Sequence, residues 1–375
     1  MPIASPPYDI FIWIVKDLPY PGKLSSFRDG VNEQAFREAA GRDKISACRN
    51  VCVMKTGRDN TMKDKILGGI IGLAVGDALG VPVEFETREA LRSDPVLGMR
   101  AGRDTPPGTW SDDTSLTLCA LDSLSNGLDY GDMMNRFLSW IDDAEYTPHG
   151  KSFGVGKTTL KALSRFAKGE PALSCGCRSE SENGNGSLMR VLPLAFYLDA
   201  KYGDTFPARE DAVEIIHNVS ALTHAHMISR VACGVYLSVA GHLIHGYAPG
   251  DAAAHGVRRA LEYYDGKYPN EAANFRRLDL EGFKNLPEEE INSGGYVIDT
   301  LEASVWCLLN TDGYESCVLK AVNLGGDADT TGAVTGGLAG IYYGLDGIPR
   351  KWRDGIARLS FIERLCDKFS LSLTA

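Results

Sequence analysis

Late in this 375-residue chain the stretch NLGGDADTTGAV puts Asp327 and Asp329 one residue apart, behind two glycines and ahead of Thr330 and Thr331. A second acidic run lies far upstream in GTWSDDTSLTL, with Ser111, Asp112, Asp113 and Thr114 in succession. Carboxylates this close repel one another, and the repulsion is relieved by protonation or by a bound cation. Carboxylate and hydroxyl oxygens are hard ligands that suit Mg²⁺, Mn²⁺ or Ca²⁺ rather than zinc. If the two runs meet in space, four carboxylates and two or three hydroxyls surround one point. A pair of ions is then the natural content, since two cations about 3.5–4 Å apart orient a substrate and polarise a water for displacement. Each run also stands where an apolar helix begins, so an ordinary N-cap by Ser111, Asp112, Asp113 or Asp327 is an alternative reading. Both runs carry more acid than a cap needs.

The elements that position these residues are helices. Helical stripes occur in MKDKILGGIIGLAVGDALG, DTSLTLCALDSLSNG, YGDMMNRFLSWIDDA, SLMRVLPLAFYLDA, VIDTLEASVWCLLNT and TGAVTGGLAGIYYGL, and strand-like alternation is scarce from about residue 62 onward. The stretch from Met227 has apolar pairs at every fourth residue but contains Arg230, His242 and His245, which predicts a buried helix rather than a membrane span. Several of these helices are rich in Gly and Ala, which lets backbones approach closely. The expectation is an all-α main domain over residues 61–375, a compact bundle around buried centres. Residues 1–60 read as an appended extension: a β-branched and aromatic run at Ile10 to Ile14, a Pro/Gly turn, and a short helix closed by Gly41. It is either an extra layer packed on the domain or a partner-binding arm, because an exposed run of that kind is an aggregation-prone edge.

Composition narrows the function. A net charge of −10 argues against a sequence-independent nucleic-acid binder. Nine scattered cysteines and no secretory leader pattern favour reduced thiols and a cytoplasmic protein, and Cys175 and Cys177 in CGC lack the second pair a zinc site needs. GVGKTT from Gly154 echoes the end of a phosphate-binding loop, but Lys151 stands where the pattern demands glycine. It reads as a turn into a helix.

Taken in order, GGIIGLAVGDALGVPVEF, WSDDTSLTL, GVGKTT, NGNGSLMR, LTHAH and GGDADTTGAVTGGLAG resemble the ADP-ribosylglycohydrolases, over roughly residues 63–368. The resemblance implies an all-helical fold with two Mg²⁺ or Mn²⁺ ions, and carries the ligand roles onto Ser111, Asp112, Asp113, Asp327, Asp329 and Thr330. Ser111 stands where the family often has threonine; the hydroxyl is kept. Glu84, in GVPVEF, falls where some relatives have a mobile glutamate, and either completes the ligand set or assists proton transfer. Asp77 reads as structural, bonding helix ends. The turn Ser181 to Arg190 supplies Asn183, Gly184, Gly186, Ser187 and Leu188 as substrate-binding candidates, and the amides of Gly186, Ser187 and Leu188 suit a diphosphate at a helix start. Its alternative is a cap by Ser187. His224 of LTHAH is expected to bond a ribose or phosphate.

The implied activity is hydrolysis of the bond between ADP-ribose and a protein side chain, arginine favoured. Asp113 or Asp329 positions the attacking water, with Glu84 as assistant. An immunity protein against an ADP-ribosyltransferase toxin is a setting that fits. The alternative function is a binding protein that neutralises such a transferase through residues 1–60 without catalysis.

Overall fold

A computed structural model describes residues 61–279 and 282–374. Among these residues there are fifteen α-helices, short 3₁₀ turns and no strand. Two isolated bridges, Cys177 with His224 and Gly184 with Tyr296, are their only β-type pairings. The all-α expectation therefore holds for the described residues, whereas the extension and its apolar run lie outside them.

The helices run α1 (Met62–Gly80), α2 (Arg88–Ser93), α3 (Asp112–Leu124), α4 (Tyr130–Asp143), α5 (Lys157–Ala167), α6 (Pro193–Tyr202), α7 (Glu210–Ala221) and α8 (Met227–Ile244). They continue as α9 (Pro249–Lys267), α10 (Pro269–Ala272), α11 (Val297–Leu309), α12 (Tyr314–Val322), α13 (Ala328–Tyr343), α14 (Arg350–Arg353) and α15 (Leu359–Ser372).

At the centre, α1 crosses α13 in antiparallel contact, and glycine is the reason. Glycines recur at four-residue intervals as Gly68, Gly72, Gly76 and Gly80 on α1 and as Gly332, Gly336 and Gly340 on α13. A methyl group on Gly68, Gly72 or Gly76 would lie 2.4, 2.5 or 2.0 Å from the carbonyl oxygen of Gly340, Gly336 or Gly332 respectively. One on Gly80 would lie 2.3 Å from the Asp329 Cα. Backbone thus rests on backbone along the crossing, and the C-terminal end of α1 is pressed onto the N-terminal end of α13. Tyr314 of α12 locks the crossing from the side by donating to the Gly72 carbonyl at 2.7 Å.

Burial follows the sequence pattern. Thr61 and Asp64 form a capping box that starts α1, and from Gly68 to Gly80 every residue of that helix is buried. A helix apolar on all sides belongs in a core. Both α1 and α8 are long and apolar enough to cross a membrane by composition, yet 83% of each apolar window is buried inside the fold. The reading of the Met227 stretch as a buried helix is thereby met.

The far end of α3 is fixed by Asp122, which accepts from Tyr146 Oη and Lys368 Nζ at 2.7 Å each and pairs with Arg136. One boundary departs from expectation. SLMRVLPLAFYLDA reads as one helix, but α6 begins only at Pro193, because proline has no N–H to donate and is favoured at the first helical position. Residues Asn185–Ser187 form a 3₁₀ turn instead.

Candidate metal centre

The crossing of α1 and α13 delivers the acidic residues to one place. Asp77, on the last turn of α1, is fully buried and accepts from the Ser111 amide at 3.0 Å on both oxygens. It also accepts from the Thr114 amide at 3.0 Å and the Thr114 hydroxyl at 2.6 Å. These bonds anchor the start of α3 on α1. Burial pushes Asp77 up to about 6, against the pull of those hydrogen bonds. Asp77→Ala leaves two amides and a hydroxyl buried without partners, and is expected to cost about 3 kcal/mol of stability, read by chemical denaturation.

At α3 the cap reading is correct for one residue. The Ser111 hydroxyl accepts from the Asp113 amide at 3.3 Å and donates to Asp113 Oδ2 at 3.1 Å. Asp112 and Asp113 are surplus to that cap and both are buried. Asp112 lies under the GVG turn, where a methyl on Gly154 would fall 2.4 Å from its Oδ1, so only glycine lets that loop pass. At α13, Asp327 occupies the cap position without making a side-chain capping bond. Its Oδ2 accepts instead from Asn185 Nδ2 at 2.9 Å.

The two runs meet. Thr330 Oγ1 lies 3.4 Å from Asp113 Oδ2, across 217 residues of sequence. Carboxylate oxygens of Glu84, Asp327 and Asp329 lie within 4.8 Å of one another. Glu84 is brought there by the turn after α1. Phe85 donates its amide to the Gly326 carbonyl at 2.7 Å, and Gly326 returns a bond to the Glu86 carbonyl at 2.8 Å. Gly326 has φ +68°, and a methyl there would meet the Ser293 carbonyl oxygen at 2.5 Å.

No cation pairs with this group among the described residues: Asp77, Glu84, Asp112, Asp113, Asp327 and Asp329 enter no salt bridge. Burial, then Asp77 and Asp112, raise Asp113 well above the carboxylate range; burial, then Asp113, Asp327 and Glu84, do the same to Asp329. Asp112 is raised by burial and Asp77, and Glu84 is pushed up to about 7 by burial, Asp327 and Asp77. Asp113 Oδ1 is buried with no hydrogen-bond partner. An orphaned carboxylate oxygen, hydroxyls and several like charges form an oxygen-only donor set that fits hard divalent cations.

These raised values set a pH dependence for the cation-free chain. A carboxyl with a higher pKa folded than unfolded binds more protons in the folded state, so stability falls as pH rises through the interval between the two values. The cation-free protein is expected to lose about 5 °C of melting temperature between about pH 4 and about pH 7. Added Mg²⁺ or Mn²⁺ is expected to recover most of it at the upper end, read by scanning calorimetry.

The other sequence candidates gather nearby. Gly184 pairs with Tyr296, and the Asn185 amide donates to the Gly295 carbonyl at 3.1 Å. Gly186 lies against His224, where a methyl would be 2.8 Å from Cε1. Two expectations need correction. Ser187 caps no α-helix; its hydroxyl accepts from Ser220 Oγ at 3.0 Å, and α6 starts too late for the amides of Gly186, Ser187 and Leu188 to sit at its end. The Asn183 side chain is used within the fold, bonding the Glu180 carbonyl, His226 Nδ1 and Ser229 Oγ. The residue that reaches the carboxylates is Asn185, two positions on, held also by Thr300 Oγ1 at 2.9 Å. Sequence reasoning also passed over Ser293 to Tyr296: Ser293 accepts the Asp327 amide at 2.8 Å, and a methyl on Gly295 would lie 3.1 Å from Asp327 Oδ2. The available signal was the SGGY turn just ahead of α11.

The family model described as ADP-ribosylglycohydrolase matches residues 58–374. The chain belongs to the ADP-ribosylglycohydrolase family. It is 32% identical over 311 residues to the ADP-ribosylarginine hydrolase Tri1 of Serratia proteamaculans (strain 568), covering 81% of this chain and 78% of that one. It is 30% identical over 298 residues to the ADP-ribosyl-[dinitrogen reductase] glycohydrolase of Rhodospirillum rubrum, covering 78% and 90%. A solved ADP-ribosylglycohydrolase-related protein complex matches with a TM-score of 0.68 and 32% identity, over 83% of this chain and 99% of that chain. This ADP-ribosylglycohydrolase is therefore an ADP-ribosyl hydrolase by family, and metal ions are typical of that family.

Proposed function

We propose that this ADP-ribosylglycohydrolase removes ADP-ribose from modified arginine side chains of a protein substrate, using two Mg²⁺ ions, with Mn²⁺ as substitute. The observation that carries the reading is the convergence of the two aspartate runs, with Thr330 Oγ1 3.4 Å from Asp113 Oδ2 and Asp113 Oδ1 without a hydrogen-bond partner among the described residues. The arginine linkage is supported by the relatives named ADP-ribosylarginine hydrolase, from Serratia proteamaculans and Pseudomonas putida.

Ser111, Asp112, Asp113, Asp327, Asp329 and Thr330 would hold the ions. When bound, these supply Lewis acidity and a template for the ribose hydroxyls. Asp113 or Asp329 orients the attacking water by accepting its proton. Glu84, whose carboxylate stands with those of Asp327 and Asp329, is placed to take or give a proton as a general acid–base group. Asn185 fixes the rotamer of Asp327 through its 2.9 Å bond.

A hydrolase of this specificity reverses the product of an arginine-specific ADP-ribosyltransferase, so an immunity role in the cytoplasm is part of the proposal. The test is release of ADP-ribose from arginine-modified protein by the purified chain, with Mg²⁺, with Mn²⁺ and with chelator, beside a serine-modified substrate. Metal-dependent release from arginine alone supports the reading; release from serine alone replaces the linkage. Deleting residues 1–60 tests the transferase-binding role: retained hydrolysis with lost transferase binding makes those residues an interaction arm.

A further inference from the structure

Arg190 ends the loop sequence NGNGSLMR, is fully buried, and forms no salt bridge among the described residues. Its guanidinium lies 4.8 Å from the Phe137 ring centroid. Its terminal nitrogens reach the Val219 carbonyl at 3.4 and 3.3 Å, one of them donates to Thr223 Oγ1 at 2.8 Å, and Nε has no partner. A buried cation without a counter-ion is costly to keep. What it touches next accounts for it: Thr223 Oγ1 is 2.8 Å from His224 Nδ1.

The direction of these bonds is determined by chemistry. A guanidinium can only donate, so Thr223 Oγ1 accepts from Arg190. The threonine's own proton then has one acceptor among the described residues, His224 Nδ1. Nδ1 is therefore the bare nitrogen, and the ring proton resides on Nε2. Nε2 faces the glycine loop, 3.3 Å from a methyl built on Gly186 and 3.7 Å from one on Gly184, and no described residue hydrogen-bonds to it.

We propose that Arg190 is a positioning residue: through Thr223 it locks His224 as the neutral Nε2–H tautomer and so presents one N–H donor, over Gly184 and Gly186, to an acceptor oxygen of the ADP-ribosyl group. The donor role rests on the reading of this loop as the substrate site. Burial, then the Arg190 charge, lower His224 to about 3, with Glu182 opposing. The paired segment contributes the Cys177 thiol, which burial keeps protonated. Arg190 itself, lowered by burial to about 10, remains a cation at neutral pH. The ring is thus neutral throughout the physiological range, and the donor does not switch off as pH rises.

The test is side-chain ¹⁵N spectroscopy of histidine in the full chain, with the His224 signals assigned by His224→Gln, together with calorimetric binding of free ADP-ribose. The wild-type spectrum is expected to show Nδ1 unprotonated and no titration of His224 between about pH 5 and about pH 8. Arg190→Met replaces an uncompensated charge by an apolar group of similar length, and is expected to fold. Like Thr223→Val, it is expected to mix the tautomers and weaken ADP-ribose binding about tenfold, while burial still keeps the ring from titrating in that range. A folded Arg190→Met protein with the wild-type tautomer and affinity overturns the proposal. So does a wild-type ring protonated on Nδ1. Thr223→Val decides the matter if Arg190→Met does not fold. Wild-type protein that binds no ADP-ribose removes the substrate reading, and the donor role with it, while the spectrum still decides the tautomer. Tautomers that mix in both variants while binding stays undiminished overturn the donor role alone.

Discussion

Asp329→Asn is expected to lower kcat/KM for ADP-ribose release by about a thousandfold or more, while the cation-free variant melts above the wild type at neutral pH. Asp329 is buried on the first turn of α13, and its carboxylate accepts from the Thr330 amide at 2.9 Å. Burial, Asp113, Asp327 and Glu84 all act against its charge, so without a cation the ionised form is a source of strain. Asparagine keeps the shape and the acceptor oxygen but removes the charge. The two effects therefore move in opposite directions, a signature that simple misfolding cannot imitate. Activity within a few-fold of wild type would falsify the assignment of Asp329 to the catalytic cluster. Melting in the presence and absence of Mg²⁺ gives the second readout, since the variant is expected to gain less from the metal than the wild type does.

The second large effect belongs to a residue without a side chain. Gly76→Ala places a methyl 2.0 Å from the Gly332 carbonyl oxygen, and both partners are helix backbone, so no rotamer change relieves the clash. The helices must separate, at an expected cost of about 3 kcal/mol or more, a large part of an ordinary domain's margin of about 5–15 kcal/mol. Separation also draws Asp77 and Glu84 away from Asp329, so metal affinity is expected to fall together with stability. Gly266→Ala is the matched control. It is a helical position with nothing within 4 Å of the added methyl, and there alanine is expected to stabilise by about 0.5–1 kcal/mol. Urea denaturation of the two variants separates packing from propensity: equal destabilisation would remove the close-crossing argument.

Much of this was legible in the sequence, and the reasons are local. Helix type came from periodicity, as for α4 and α8, and the acidic runs announced themselves by carrying more carboxylate than Ser111 needs to cap α3. What a sequence cannot supply is the partner across space. Asp77 looks like any helix-end aspartate until the Ser111 and Thr114 amides are seen to converge on it. Asn183 and Asn185 are equivalent in NGNG, and only the fold turns the first toward His226 and the second toward Asp327. The start of α6 was misplaced because apolar periodicity continues through Ser187 to Leu192, whereas Pro193 decides where helical hydrogen bonding begins. Arg190 carries a charge in an apolar stretch, and its linkage to His224 runs through a residue 33 positions away.

The pairing of α1 with α13 has a consequence for how the protein is made. The ribosome releases α1, whose stretch Met62–Val83 contains an 18-residue window with a mean hydropathy of 1.9, long before the helix that covers it exists. Roughly 250 residues separate them, and at about 5–20 residues per second this leaves α1 uncovered for about 10–50 s. During that interval the glycine face of α1 has no native surface to rest on, and the same row of glycines offers the helix little stability of its own. Hydrolysis cannot begin before α13 has been translated.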